Sequence, residues 1–190
     1  MSLHVPAFVQ ARRQFLSRSG QAMLSATAIA LLAGNEALAA GAKATTDDVT
    51  ILNTALGAEQ EAIAAYQLGA ESGLLQKPVL DLAVSFQGHH KEHADLLAKT
   101  VAKLGGKPVK AKTVAEYKFP TDKLKSQTDV LRFASDLERG AVSAYLGAVP
   151  LFKNRELAKA AASILGDEAM HWAVLRQALG ENPVPDAFVS

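Results

Sequence analysis

The chain has 190 residues with 20 Lys+Arg against 19 Asp+Glu, and a formal charge of +1 gives no basis for a nucleic-acid partner or a polybasic membrane surface. Hydrophobic residues make up 49% and charged ones 21%, with 13 Gly and 7 Pro, so the chain can bury a core and is neither disordered nor fibrous; one globular domain is the natural count. The lack of cysteine excludes disulfides, Cys-ligated zinc, iron–sulfur clusters, c-type haem and thiol nucleophiles, so any metal site has to be built from Asp, Glu and His.

The first element is an export signal over residues 1–39. Arg12-Arg13-Gln14-Phe15-Leu16 precedes Arg18, residues 19–35 carry no charge, and Ala37-Leu38-Ala39 places small residues at cleavage spacing. The apolar run is too short and too rich in Ala, Ser and Gly for a membrane span of about 20 strongly apolar residues, so an anchor is expected only where the signal stays uncleaved. Paired arginines followed by x-Phe-Leu resemble the twin-arginine signal, which implies the twin-arginine machinery as partner and the periplasm as destination. Folded export matters chemically, because a metal chosen in the cytoplasm travels out already bound.

Residues 40–190 form the predicted domain. From Thr46 onward the pattern is long helices with short breaks and no strand-like alternation, so the class is all-α. Helix one is predicted from an N-cap at Thr46, with Asp47 and Asp48 in its first turn, to Ser72-Gly73. Helix two runs from Pro78 to Gly105-Gly106, helix three from Thr128-Asp129 to about Pro150, and helix four from Asn154 to Gly180. The first and third breaks are short, which predicts antiparallel neighbours. Residues 106–127 have no helical stripe, and a crossover along the whole bundle accounts for a segment that long. Tyr117 and Phe119 are expected to staple it down.

The two halves repeat. Glu59 to Tyr66 aligns with Glu138 to Tyr145, and Gly88 to His93 aligns with Gly166 to His171. Followed in steps of three and four, each apolar stripe is interrupted by ionisable residues near mid-helix: Glu59 between Leu56 and Ile63, His90 and His93 between Phe86 and Leu97, Glu138 between Ser135 and Val142, and Glu168 and His171 between Ile164 and Leu175. Three glutamates and three histidines at one level of a core cost several kcal/mol each unless compensated. Histidinium–glutamate pairs with waters are one compensation. A divalent cation held by inward-pointing carboxylates and imidazoles is the better one.

At these residues the chain resembles the ferritin-like superfamily, an antiparallel four-helix bundle with one long crossover between helices two and three and a carboxylate–histidine dimetal site. The resemblance covers about residues 46–180. It implies Glu59 and Glu138 as the single carboxylates, Glu168 and His171 as one complete Glu-x-x-His, and His93 as the other histidine. His90 departs from the pattern, standing where the family usually has a bridging glutamate. The implied cofactors are two divalent ions, Fe or Mn, with zinc, copper or a single ion left open by His90.

Around this set, His89 and Asp167 occupy matching flank positions and are candidates for orienting the imidazoles. Tyr66 and Tyr145 are candidates for hydrogen bonding to the site or passing an electron, against plain core packing. Glu61, Glu71 and Glu92 fall off the stripe and read as solvated, and Trp172 as packing between helices. The resemblance implies redox chemistry toward oxygen, peroxide or Fe(II), which would make the protein an oxidoreductase of peroxidase, ferroxidase or manganese-catalase type. The alternative is a non-enzymatic bundle with a degenerate site, acting in the envelope as a structural, partner-binding or stress-associated module. A soluble electron-transfer or sensor protein is a third reading. A homo-oligomer is compatible with all three.

Overall fold

The computed structural model describes residues 48–189. The export signal and the Thr46 cap lie outside the described residues. Within them the chain forms four long helices: α1 (Asp48–Glu71), α2 (Lys77–Lys103), α3 (Gln127–Ala148) and α4 (Arg155–Ala178), with no strand among the described residues. No helix among the described residues is long and apolar enough to cross a membrane.

Local chemistry sets the ends. Asp48 sits in the positive first turn of α1, and its carboxylate accepts hydrogen bonds from the Lys153 and Asn154 amides at 2.9 and 3.1 Å, which ties the start of α1 to the start of α4. Pro78 opens α2, and Gly105 follows it with φ +81°, a left-handed backbone that favours glycine. The cap of α3 is Ser126 rather than Thr128: the Ser126 hydroxyl accepts from the Asp129 amide, and the Asp129 carboxylate accepts in return from that hydroxyl and the Lys125 amide. The helix of α3 ends at Ala148, and Pro150 falls in a short 3-10 turn, Val149–Leu151. Asn154 caps α4 by accepting from the Glu156 amide at 2.9 Å.

Two apolar clusters fix the topology. One joins Leu52 and Leu56 of α1 to Leu97 and Val101 of α2, Tyr145 of α3 and Ala161 of α4. The other joins Tyr66, Phe86, Leu131 and Leu175. From the first cluster to the second, residue numbers rise along α1 and α4 and fall along α2 and α3. Hence α1 and α2 are antiparallel, α3 and α4 are antiparallel, and α2 and α3 run the same way, which requires the chain between them to return along the whole bundle.

That crossover holds two short 3-10 turns, Val114–Tyr117 and Thr121–Lys123. Asn53 of α1 fastens its start, donating to the Lys107 carbonyl at 3.0 Å and accepting from the Val109 amide at 2.9 Å, while Gln60 donates to the Val109 carbonyl. The expected staple is present: Tyr117 stacks on Phe119 at 5.5 Å, and Phe119 meets Phe133 of α3. The crossover also explains a correction. Glu61 is buried at 4% exposure, not solvated, because the loop covers that side of α1 and brings Tyr117 within reach of its charge; Glu71 and Glu92 are exposed. Trp172 is half-buried with the Arg176 guanidinium 5.6 Å over its ring.

Where α2 enters the crossover, a Cβ on Gly106 would meet Val49 Cγ1 at 2.4 Å and two Val101 atoms at 3.1 and 3.2 Å. Gly106→Ala is therefore expected to lose about 1–3 kcal/mol of stability by overpacking, read as a lower urea midpoint at unchanged slope.

Candidate metal centre

The polar layer lies between the two apolar clusters. The three-residue spacings His90-x-x-His93 and Glu168-x-x-His171 place each pair on one face of its helix, and Glu59 and Glu138 face them from α1 and α3. Glu59, His90, Glu138, Glu168 and His171 are each at most 3% exposed, and His93 is partly buried. All six residues singled out by the interrupted stripes converge.

They form two groups whose candidate ligand atoms all lie within 4.8 Å of one another: Glu59, His90, His93 and Glu168, and His90, Glu138, Glu168 and His171. His90 and Glu168 belong to both. Glu168 spans them with its two oxygens, Oε1 standing 3.2 Å from His93 Nδ1 and Oε2 3.5 Å from His171 Nδ1. His90 spans them with its two nitrogens, Nδ1 at 2.8 Å from Glu59 Oε2 and Nε2 at 3.2 Å from Glu138 Oε1. A neutral imidazole has one lone pair to offer, whereas a carboxylate can ligate through both oxygens. His90 in the matching place to Glu168 thus removes one bridging carboxylate while keeping a donor atom toward one group.

The tyrosines do more than pack. Tyr66 of α1 donates to Glu138 Oε1 of α3, and Tyr145 of α3 donates to Glu59 Oε1 of α1 at 2.5 Å, a reciprocal pair that follows the internal repeat. Burial raises both phenols well above their ordinary range, and the facing carboxylates raise them further, so both stay protonated donors. Tyr145 holds Glu59 Oε1 and leaves Oε2 toward His90 and His93. Tyr145→Phe should unlock that carboxylate, costing about 1–2 kcal/mol in thermal or urea unfolding, because a buried charged acceptor loses its partner.

Charge in this layer is unevenly shared. Burial pushes every carboxyl up; for Glu59 the hydrogen bonds and charges of His90 and His93 outweigh it, and for Glu138 those of His171 and His90 do, so both sit below the usual range. Glu168 is not rescued in this way, and burial together with the Glu138 charge leaves it raised to about 7. Burial opposes charging of the imidazoles, but the glutamates overcome it, raising His93 and His171 to about 9 and His90 well above its ordinary value.

Four buried atoms facing this centre make no hydrogen bond: His93 Nδ1, His171 Nδ1, and both oxygens of Glu168. The imidazole–carboxylate gaps of 3.2–3.5 Å are close enough for charge attraction yet misaligned for hydrogen bonding. Each buried polar atom left so costs about 1–3 kcal/mol. Two nitrogens and two carboxylate oxygens pointing at a shared interior fit a divalent cation of the O/N-preferring kind. Carboxylate and histidine groups that could hold a metal ion are therefore present.

Outside the centre, Asp167 Oδ2 stands 3.4 Å from His93 Nε2 and 3.3 Å from His171 Nε2, and His89 Nδ1 lies 2.8 Å from His171 Nε2. The flank candidates thus both reach the imidazoles. The contact between His89 and His171 is not legible from the sequence, because it depends on how closely α2 approaches α4 while Phe86 stacks on the His171 ring at 4.0 Å.

The match to known proteins agrees with this architecture. The family model for the ferritin-like domain matches residues 47–181. The chain belongs to the ferritin-like domain family. The fold is similar to the crystal structure of a conserved hypothetical protein from Mycobacterium tuberculosis, at 23% identity and a TM-score of 0.64, over 74% of this chain and 96% of that one. Among curated proteins none matches the chain.

Proposed function

We propose that the protein is an exported ferritin-like metal protein that binds two divalent ions, iron or manganese, and performs non-haem redox chemistry on a small oxidant such as oxygen or peroxide. The observation that carries this reading is the set of four buried, unbonded donor atoms at the meeting point of the two ligand groups. The ions would be held by Glu59, His93 and Glu168 on one side and by Glu138, Glu168 and His171 on the other, with His90 a ligand to one of the two. When bound, they would supply one-electron redox chemistry toward the oxidant.

The protein's own part is to hold ligands and exclude bulk water. Tyr66 and Tyr145 anchor Glu138 and Glu59, and the Asp167 carboxylate lies 3.4 and 3.3 Å from the Nε2 atoms of His93 and His171, close enough to favour them by charge. A groove between α1 and α3, lined by alanines such as Ala58, Ala62 and Ala141, has Glu59, His90 and Glu138 at its floor. Small lining residues leave room beside these groups for a diatomic or peroxide. Export to the periplasm is supported by Arg12-Arg13 with the uncharged run and Ala37-Leu38-Ala39 behind them.

Elemental analysis of protein folded in its own cytoplasm, before export, tests the reading. The expected result is about two iron or manganese ions per chain, lost in the Glu168→Ala/His171→Ala double variant. A second reading, a bundle with a degenerate site serving as an envelope module, draws on His90 in place of a bridging glutamate. A metal-free parent whose double variant keeps full stability would establish that second reading.

A further inference from the structure

Outside the centre, on the face where α2 meets α4, three donor atoms converge. His89 Nδ1, His171 Nε2 and Asp167 Oδ2 form a triangle with sides of 2.8, 3.2 and 3.3 Å. Divalent first-row ions bind nitrogen and oxygen at about 2.1 Å, and two ligands at right angles on such an ion are then about 3.0 Å apart. The triangle has the dimensions of one face of an octahedral site, and two histidines with one carboxylate is a donor set that leaves the opposite positions open.

We propose that His89, Asp167 and His171 form a third, solvent-facing cation site through which divalent ions are loaded into the interior. The exposure of its members falls inward: the His89 side chain is 44% exposed, Asp167 23%, His171 2% and Glu168 0%. An arriving ion meets His89 first. His171 is the hinge of the arrangement, because its Nε2 faces the outer triangle while its Nδ1 faces Glu138 and Glu168, at 3.4 and 3.5 Å. A neutral imidazole ligates through one nitrogen at a time. Occupancy of the outer site through His171 and of the inner group through the same ring are therefore alternatives, which suits a loading site and not a third resident ion. Asp167 lies 3.4 Å from His93 Nε2 as well, so it lies against two of the three imidazoles of the interior centre.

The loading role rests on the interior centre proposed above, and the test separates the two. Metal-free full chain is mixed with Co(II), a probe with its own optical bands, and uptake is followed by stopped flow alongside final cobalt per chain. For His89→Ala the expected result is uptake slowed about tenfold with final content unchanged. Unchanged uptake in His89→Ala overturns the loading site. An equal loss of final content in His89→Ala and Asp167→Asn also overturns it, since that outcome makes both residues supports of the interior ligands. Failure of the interior reading looks different: the parent and Glu168→Ala, which leaves His89, Asp167 and His171 in place, would then hold the same cobalt at equilibrium. The outer site is checked directly by anomalous scattering from Glu168→Ala crystals in excess cobalt, where the His171 ring is free of an interior ion; a peak bounded by His89, Asp167 and His171 is expected there, and its absence overturns the site.

Discussion

Glu138→Gln is expected to destabilise the metal-free protein by about 3–5 kcal/mol and Glu168→Gln to change it by less than about 1 kcal/mol, with both substitutions expected to abolish the proposed metal binding. The two residues are nearly equally buried, so exposure does not separate them. Their partners do. Glu138 accepts from Tyr66 and His90 and faces His171, and removing its charge takes a counter-ion from two buried imidazoles, leaving His90 with Glu59 and His171 with only the weakly ionised Glu168. Glu168 accepts no hydrogen bond, is pushed toward its neutral form by burial, and repels Glu138 when ionised. Replacing it with an amide of the same shape removes repulsion as well as attraction. Urea unfolding of the two metal-free variants, with metal content measured on the same preparations, checks the contrast. Equal losses of stability would mean that Glu168 is held by the protein and not reserved for a cation, and retention of metal in Glu168→Gln would remove it from the ligand set.

The interior site was legible in the sequence because it violates the rule that makes helices legible. Glu59, Glu138, Glu168 and three histidines stand on stripes that are otherwise apolar, and only convergence explains charge in that register. The crossover was legible for a similar reason, as a Pro- and Lys-rich segment too long to be a turn. What escaped depends on distances that no periodicity encodes. Tyr66 and Tyr145 reach across to the glutamate of the other repeat, and a tyrosine on an apolar stripe gives no sign of where its hydroxyl ends. Glu61 sits off the stripe and is buried by a loop from beyond α2, so the helix pattern alone misplaces it. Ser126 outcompetes Thr128 as the cap because Asp129 answers it from three residues on, a reciprocal pairing that boundary signals taken singly do not rank.

The stability of the metal-free protein should peak near pH 5 and fall steadily to pH 9, and bound metal should reverse that slope. His93 and His171 are raised from 6.5 to about 9 in the folded state, so the stability they contribute is fully present below pH 6.5 and is lost as pH rises through 9. Glu168, raised to about 7, acts in the same direction, since folding favours its protonated form and that advantage is lost between pH 4.5 and 7. Glu59 and Glu138 act oppositely: their depressed values contribute stability above pH 4.5 that disappears as pH falls. These groups share one cluster, so the protons leave it as a set. An imidazole shift of this size corresponds to about 3 kcal/mol if fully expressed. Because the inward Nδ1 atoms of His93 and His171 make no hydrogen bond, a fall of about 2–4 kcal/mol for the two together is the expected size between pH 6 and 9. A cation needs neutral imidazoles and ionised carboxylates, so its binding expels the same protons and tightens as pH rises. Thermal unfolding across pH 5–9, with chelator and with saturating Mn(II), should give curves of opposite slope; parallel curves would show that the ion binds somewhere other than among these six side chains.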